Sequence, residues 1–179
     1  MKSKSMVGIF LILFAAMGLM GGCATVKTWS SDPSAQTVRN NVFEASFEPL
    51  MKEGQKFYDR FLFRLKNKTD RPLIIDWQDS RYIQDGRENG RFVFTGVASE
   101  NINTLPPDTV APGAEFTKTI APERLIGYER IKSGALQPGE SGFSAGVIPA
   151  GEHGLLLIVK QDQKTISEKI LLKITVKQT

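Results

Sequence analysis

From residue 41 onward, apolar and polar side chains alternate with a period of two. Phe43, Ala45 and Phe47 alternate with Glu44, Ser46 and Glu48. Phe57, Phe61, Phe63 and Leu65 fall on one parity, Tyr58, Arg60, Arg64 and Lys66 on the other. Successive side chains of an extended chain point to opposite faces, so this pattern builds strands with one buried face. Residues 73–77 and 155–159 are denser apolar runs of strand length, 116–120 alternates, and Ile166, Ile170, Leu172, Ile174 and Val176 make a last amphipathic strand. Turn signals separate the runs. They are residues 67–72, the Gln84-Asp85-Gly86 hairpin signal between residues 81–83 and 91–94, and residues 161–164. A Pro- and Gly-rich stretch fills residues 97–151, with a short helical turn expected over 123–132. Seven or eight strands at hairpin spacing, and no long helix, predict an all-β antiparallel sandwich. Leu73, Ile75 and Trp77 share a parity, which places Trp77 in its core and turns Asp76 toward solvent or a turn amide.

The first 23 residues follow another logic. Lys2 and Lys4 precede 17 uncharged residues, 6–22, and then comes Cys23, the only cysteine. A basic start, an apolar run and small residues before a boundary are the parts of a secretory signal. The run is short of the ~20 apolar residues that span a bilayer, and it holds four glycines. Leu19-Met20-Gly21-Gly22-Cys23 resembles the lipobox of bacterial lipoprotein precursors. The resemblance implies cleavage between Gly22 and Cys23, a diacylglyceryl group on the Cys23 thiol and an acyl chain such as palmitate on the new amino terminus. Ala24, in place of the aspartate of inner-membrane lipoproteins, implies the periplasmic face of the outer membrane in a Gram-negative cell. Residues 24–40 are small and polar and read as a flexible tether, with Trp29 either at the lipid headgroups or packed on the domain edge. The expected organisation is a signal peptide over 1–22, a lipidated cysteine and tether over 23–40, and a β-sandwich domain over 41–179.

Residues 61–77, with Asn67-Lys68-Thr69-Asp70 before a turn and Asp76-Trp77 after it, resemble small bacterial envelope proteins with an immunoglobulin-like sandwich. Residues 80–83 and 110–113 fit the same pattern, and the resemblance runs over 41–130. It implies the fold and the envelope class and supplies no catalytic residues. Trp77 stands where immunoglobulin domains carry their core tryptophan, but a chain with one cysteine lacks their disulfide.

Few residues offer chemistry. Gly142-Phe143-Ser144-Ala145-Gly146 fits the G-x-S-x-G nucleophile elbow, yet Pro149 and Gly151 oppose the helix an elbow needs. His153 is the only histidine, and the order Ser, Asp, His is not met. A small hydrolase using Ser144 or carboxylates is therefore the alternative, and a turn the preferred reading. Asp76, Asp79 and Asp85 match no calcium loop, and Gly86, Gly90 and Gly96 lack the helix and lysine of a phosphate loop. One histidine and one cysteine leave no ordinary zinc site, and His153 reads as a surface residue. Arg81, Tyr82, Arg87 and Arg91 surround one loop and make the candidate binding surface, since Arg and Tyr are favoured interface anchors.

Charge adds an exclusion. Lys2 and Lys4 are the only charged residues before Cys23, so their removal lowers the formal charge from +4 by two. The remaining basic residues interleave with acids, without the stripe a nucleic-acid surface requires. The expectation is a non-enzymatic envelope lipoprotein with no cofactor beyond its covalent lipid. Its sandwich binds or scaffolds an envelope protein or a wall polymer.

Overall fold

The computed structural model describes residues 27–94, 104–128 and 143–178. A seven-stranded antiparallel sheet contains β1 (Lys27–Asp32), β5 (Leu73–Ile75), β6 (Arg81–Gln84), β7 (Arg87–Glu88), β9 (Asp108–Val110), β13 (Gly151–Gln161) and β14 (Lys164–Gln178). A five-stranded antiparallel sheet contains β2 (Gln36–Arg39), β3 (Phe43–Met51), β4 (Tyr58–Asn67), β8 (Phe92–Val93) and β10 (Glu115–Pro122). A small ladder joins β11 (Ile126–Tyr128) to β12 (Phe143–Ala145). The spatial order is β1-β14-β13-β5-β9 in the first sheet, with β6 pairing a second stretch of β13, and β2-β3-β4-β10-β8 in the second.

The two sheets close on each other through the residues that the alternation singled out. Phe43, Phe47, Phe61, Phe63 and Leu65 of one meet Leu155, Leu157, Val159, Ile170, Leu172 and Ile174 of the other, all buried. Phe47 stacks on Phe61 at 4.2 Å, and Phe63 meets Trp77 edge-on at 5.4 Å. Burying one such side chain contributes about 1.5–3 kcal/mol, as does each of the Leu, Ile and Val side chains packed around the rings.

The described strands number fourteen rather than seven or eight, because short strands that carry no run of alternation still pair. The expected tether is the main correction. Residues 27–32 pair with β14 along its last six residues, and residues 36–39 pair with β3. Both are edge strands, held by backbone hydrogen bonds that demand no apolar pattern. The chain passes between them through a cis Asp32–Pro33 peptide and so contributes an edge to each sheet. Trp29 packs on the domain, its Nε1 donating to the Ile148 carbonyl at 3.3 Å.

Two turns also differ from expectation. The Asp85-Gly86 hairpin is real, with both residues at positive φ (49° and 75°) as a two-residue primed turn requires. Its second strand is β7, however, and β8 crosses to the other sheet beside β10. Of the helical turn expected over 123–132, a single 3-10 turn, Glu123–Leu125, forms, and residues 129–132 lie outside the described residues.

Candidate functional site

The expected binding cluster does not assemble. Tyr82 is fully buried, because it stands opposite Leu155 on the core side of β6. Its hydroxyl meets Nδ1 of His153 at 2.5 Å, and burial pushes its pKa well above the usual tyrosine range. Arg81 donates to the carbonyls of Gln78 (2.6 Å) and Ser80 (3.0 Å). Arg87 is exposed on β7, and the Arg91 backbone amide donates to Glu123 across to another turn. Tyr82 is thus a core residue; Arg81 and Arg87 share the β6–β7 hairpin, where Arg81 Nε lies 4.0 Å from Glu88, and Arg91 follows that hairpin toward Glu123.

His153 corrects a second expectation. It is fully buried, not a surface residue, since it shares the core-facing parity of Leu155, Leu157 and Val159. Both ring nitrogens are engaged, Nδ1 with Tyr82 and Nε2 with the Pro149 carbonyl at 2.9 Å. Ser144 lies in β12 opposite Gly127, and residues 146–149 after it form no helix. The strand–turn–helix of a nucleophile elbow is not formed there. Gly146 has another reason to be glycine. Its amide donates to the Leu125 carbonyl at 2.6 Å, and a Cβ would sit 2.2 Å from that oxygen. Gly142 and Gly96 lie outside the described residues.

The three aspartates serve turns. Asp76 accepts from the Asp79 amide at 3.0 Å and from Lys160 Nζ at 2.5 Å. Burial raises its pKa, but Lys160 and the amides outweigh burial and hold the carboxyl below its ordinary range. Asp85 accepts from the Glu152 amide at 2.9 Å. No group of three or more His, Cys, Asp or Glu side chains converges on a metal position among the described residues.

Two arrangements carry no obvious sequence signal. The first is an aromatic enclosure around a lysine. Lys118 faces inward from β10, pairs with Asp108, and holds Nζ 3.7 Å from the Phe94 ring centre and 5.6 Å from those of Trp77 and Phe116. Trp77 Nε1 donates to the same Asp108 carboxylate at 2.6 Å. This is a cation–aromatic box whose cation is the chain's own, so it ties β9, β10 and the end of β5 together. A shallow depression on the outer face of the five-stranded sheet offers less. Its Lys66 and Glu115 pair at 3.2 Å, as Arg64 and Glu48 do beside it at 3.0 Å, which leaves a nearly neutral surface.

The second arrangement is the end of the sandwich where β1 begins. β1 runs against the last residues of β14, so Lys27 stands beside Gln178 and Thr28 beside Lys177. Two residues into β1, Trp29 meets Phe57 edge-on at 6.0 Å, which brings in the loop between β3 and β4. Ile148, which accepts from Trp29, donates its own amide to Tyr58 at 2.8 Å. Met51 and Val147 flank these contacts and are 38% and 44% exposed. Lys27, Lys52, Lys56 and Lys177 are all exposed, and none joins an ion pair among the described residues. Glu53 is the one acid within that loop.

Cys23 and Gly22 lie outside the described residues, and no helix among those described is long and apolar enough to cross a membrane. Comparison with known proteins finds no matching family model, no similar curated protein and no similar solved structure. The class of the molecule rests on its residues and its fold, an antiparallel β-sandwich.

Proposed function

We propose that this chain is a cell-envelope lipoprotein, anchored through Cys23, whose β-sandwich is a non-enzymatic binding or scaffolding module for an envelope protein or wall polymer. The observation that carries the anchor is Leu19-Met20-Gly21-Gly22-Cys23 behind a basic start and an apolar run, four residues ahead of the first strand. Two or more acyl chains on one residue hold a protein stably to a bilayer, where a single chain does not. Ala24 favours the outer membrane, periplasmic face. The engagement of both His153 nitrogens in the core supports the non-enzymatic reading, because a serine nucleophile needs a free base beside it.

Metabolic labelling with a fatty acid tests the anchor. The wild-type chain takes up label and loses residues 1–22, while Cys23→Ser stays an unlabelled, full-length precursor. Label entering the Cys23→Ser chain overturns the assignment. A serine-directed fluorophosphonate probe tests the other half: covalent capture at Ser144 would return the hydrolase reading.

A further inference from the structure

We infer that the β1 end of the sandwich is a membrane-apposed face that seats on an anionic phospholipid surface. The inference deepens the lipid-anchor reading and rests on it. Covalent geometry supplies the first argument. Four Cα–Cα steps separate Cys23 from Lys27, and a chain of that length reaches at most ~15 Å however it is arranged. A tether running to residue 40 would have let the domain turn freely. A strand beginning at Lys27 and hydrogen-bonded to β14 holds one end of the domain within that distance of the lipid.

Surface chemistry supplies the second argument. Of the three large hydrophobic residues exposed among those described, Met51 and Val147 belong to this end. Lys27, Lys52, Lys56 and Lys177 stand at this end and form no ion pair among the described residues; Glu53 is the one acid of the loop between β3 and β4, and Asp85 and Glu152 lie exposed further up, beside Gly151. Lysines around exposed apolar side chains are what an anionic interface attracts, the cations to headgroups and the apolar tips between them. The opposite end carries the exposed Ile74 and Lys164, but two of its cations are paired. There Arg71 pairs with Asp162 at 2.7 Å and Lys66 with Glu115 at 3.2 Å. The turn after β13 lies ten residue steps from Gly151, about 33 Å along the strand. The domain therefore stands with β13 and β14 rising from the membrane and the far turns reaching into the periplasm.

The test uses the lipidated chain. Its native cysteine is blocked as a thioether, so Val147→Cys, Met51→Cys and Gln163→Cys each take one fluorescent label. The proteins are reconstituted in phosphatidylethanolamine–phosphatidylglycerol vesicles carrying a nitroxide lipid. Labels at 147 and 51 should be quenched several-fold more than the label at 163, and the contrast should shrink when the four lysines are changed to Glu or when the vesicles are neutral phosphatidylcholine. Equal quenching at both ends of a chain shown by mass to be lipidated overturns the inference and leaves the anchor standing. A chain that carries no lipid by mass overturns the anchor reading, and the inference with it. Quenching at 147 and 51 that ignores both lysine charge and lipid charge overturns the assignment of an anionic surface.

Discussion

The Tyr82 hydroxyl and His153 Nδ1 meet at 2.5 Å inside the sandwich, their rings stacked at 5.9 Å with 13° between planes. His153 Nε2 faces the Pro149 carbonyl, an acceptor only, so this nitrogen carries the proton and Nδ1 accepts from Tyr82. The bond links β6 to β13 with a neutral imidazole, and a second proton would place a charge where no water reaches.

Acid should therefore weaken the fold through this residue. Burial lowers the His153 pKa, opposed by the Pro149 carbonyl and by the carboxylates of Asp85 and Glu152. The unfolded chain takes up the proton near pH 6.5 while the folded chain resists it, so its contribution is complete above that pH and is lost as pH falls below it. The melting temperature should be level from pH 8 to about 7 and decline below about 6.5. His153→Gln, lower throughout, should show no decline in the first unit below 6.5. A wild-type slope that persists in His153→Gln would assign the effect elsewhere.

Trp77 should prove a core residue with a polar handle. It is 1% exposed, packs on Phe63 and Phe94, and gives its N–H to Asp108. Trp77→Ala should cost about 3–5 kcal/mol in denaturant unfolding, and Trp77→Phe about 1–3 kcal/mol, mainly the lost hydrogen bond. In a Trp29→Phe background, where Trp77 is the sole tryptophan, emission should be blue-shifted and resist acrylamide. Red-shifted, readily quenched emission would contradict the burial.

What could be read from the sequence followed from burial on one face. The parity of Phe43 to Leu65 and of Ile170 to Val176 marked β3, β4 and β14, and Trp77 fell on the inward side as its neighbours required. β1 and β2 were hidden because an edge strand earns its place through the backbone, and Thr28, Ser30 and Thr37 carry no apolar signal. The burial of His153 is legible in the sequence too, since its odd number groups it with Leu155, Leu157 and Val159. The enclosure around Lys118 gave only a weak sign, a lysine on the parity of Phe116 and Ile120, because its partners come from Asp108, Trp77 and Phe94 across the fold.

Gly146 should not tolerate even one added carbon. A Cβ there would lie 2.2 Å from the Leu125 carbonyl oxygen, a backbone atom that cannot rotate aside. Gly146→Ala should destabilise by about 1–3 kcal/mol, the usual cost of forced overpacking. An unchanged denaturant midpoint for Gly146→Ala would show that the glycine is not held by this contact.

Asn67 should be the most sensitive polar position. It is fully buried at the end of β4. Its Nδ2 donates to the carbonyls of Arg71 (2.7 Å), Val110 (3.1 Å) and Ala111 (3.1 Å), and its Oδ1 accepts from the Thr69 amide (2.9 Å) and hydroxyl (2.8 Å). One side chain thus closes the turn after β4 and joins it to the end of β9. Asn67→Leu fills the space but leaves the carbonyls and the Thr69 amide without that partner, at about 1–3 kcal/mol for each buried group left unpaired. Asn67→Asp keeps the acceptor and turns a negative oxygen toward the three carbonyls, so the folded state should hold this carboxyl protonated beyond its ordinary range. A raised carboxyl pKa gives stability at low pH that disappears as pH rises, so Asn67→Asp should lie closer to wild type at pH 4 than at pH 7. Unfolding midpoints of both proteins at the two pH values measure this. A deficit that is the same at both would mean that the Nδ2 donor bonds carry little of the load.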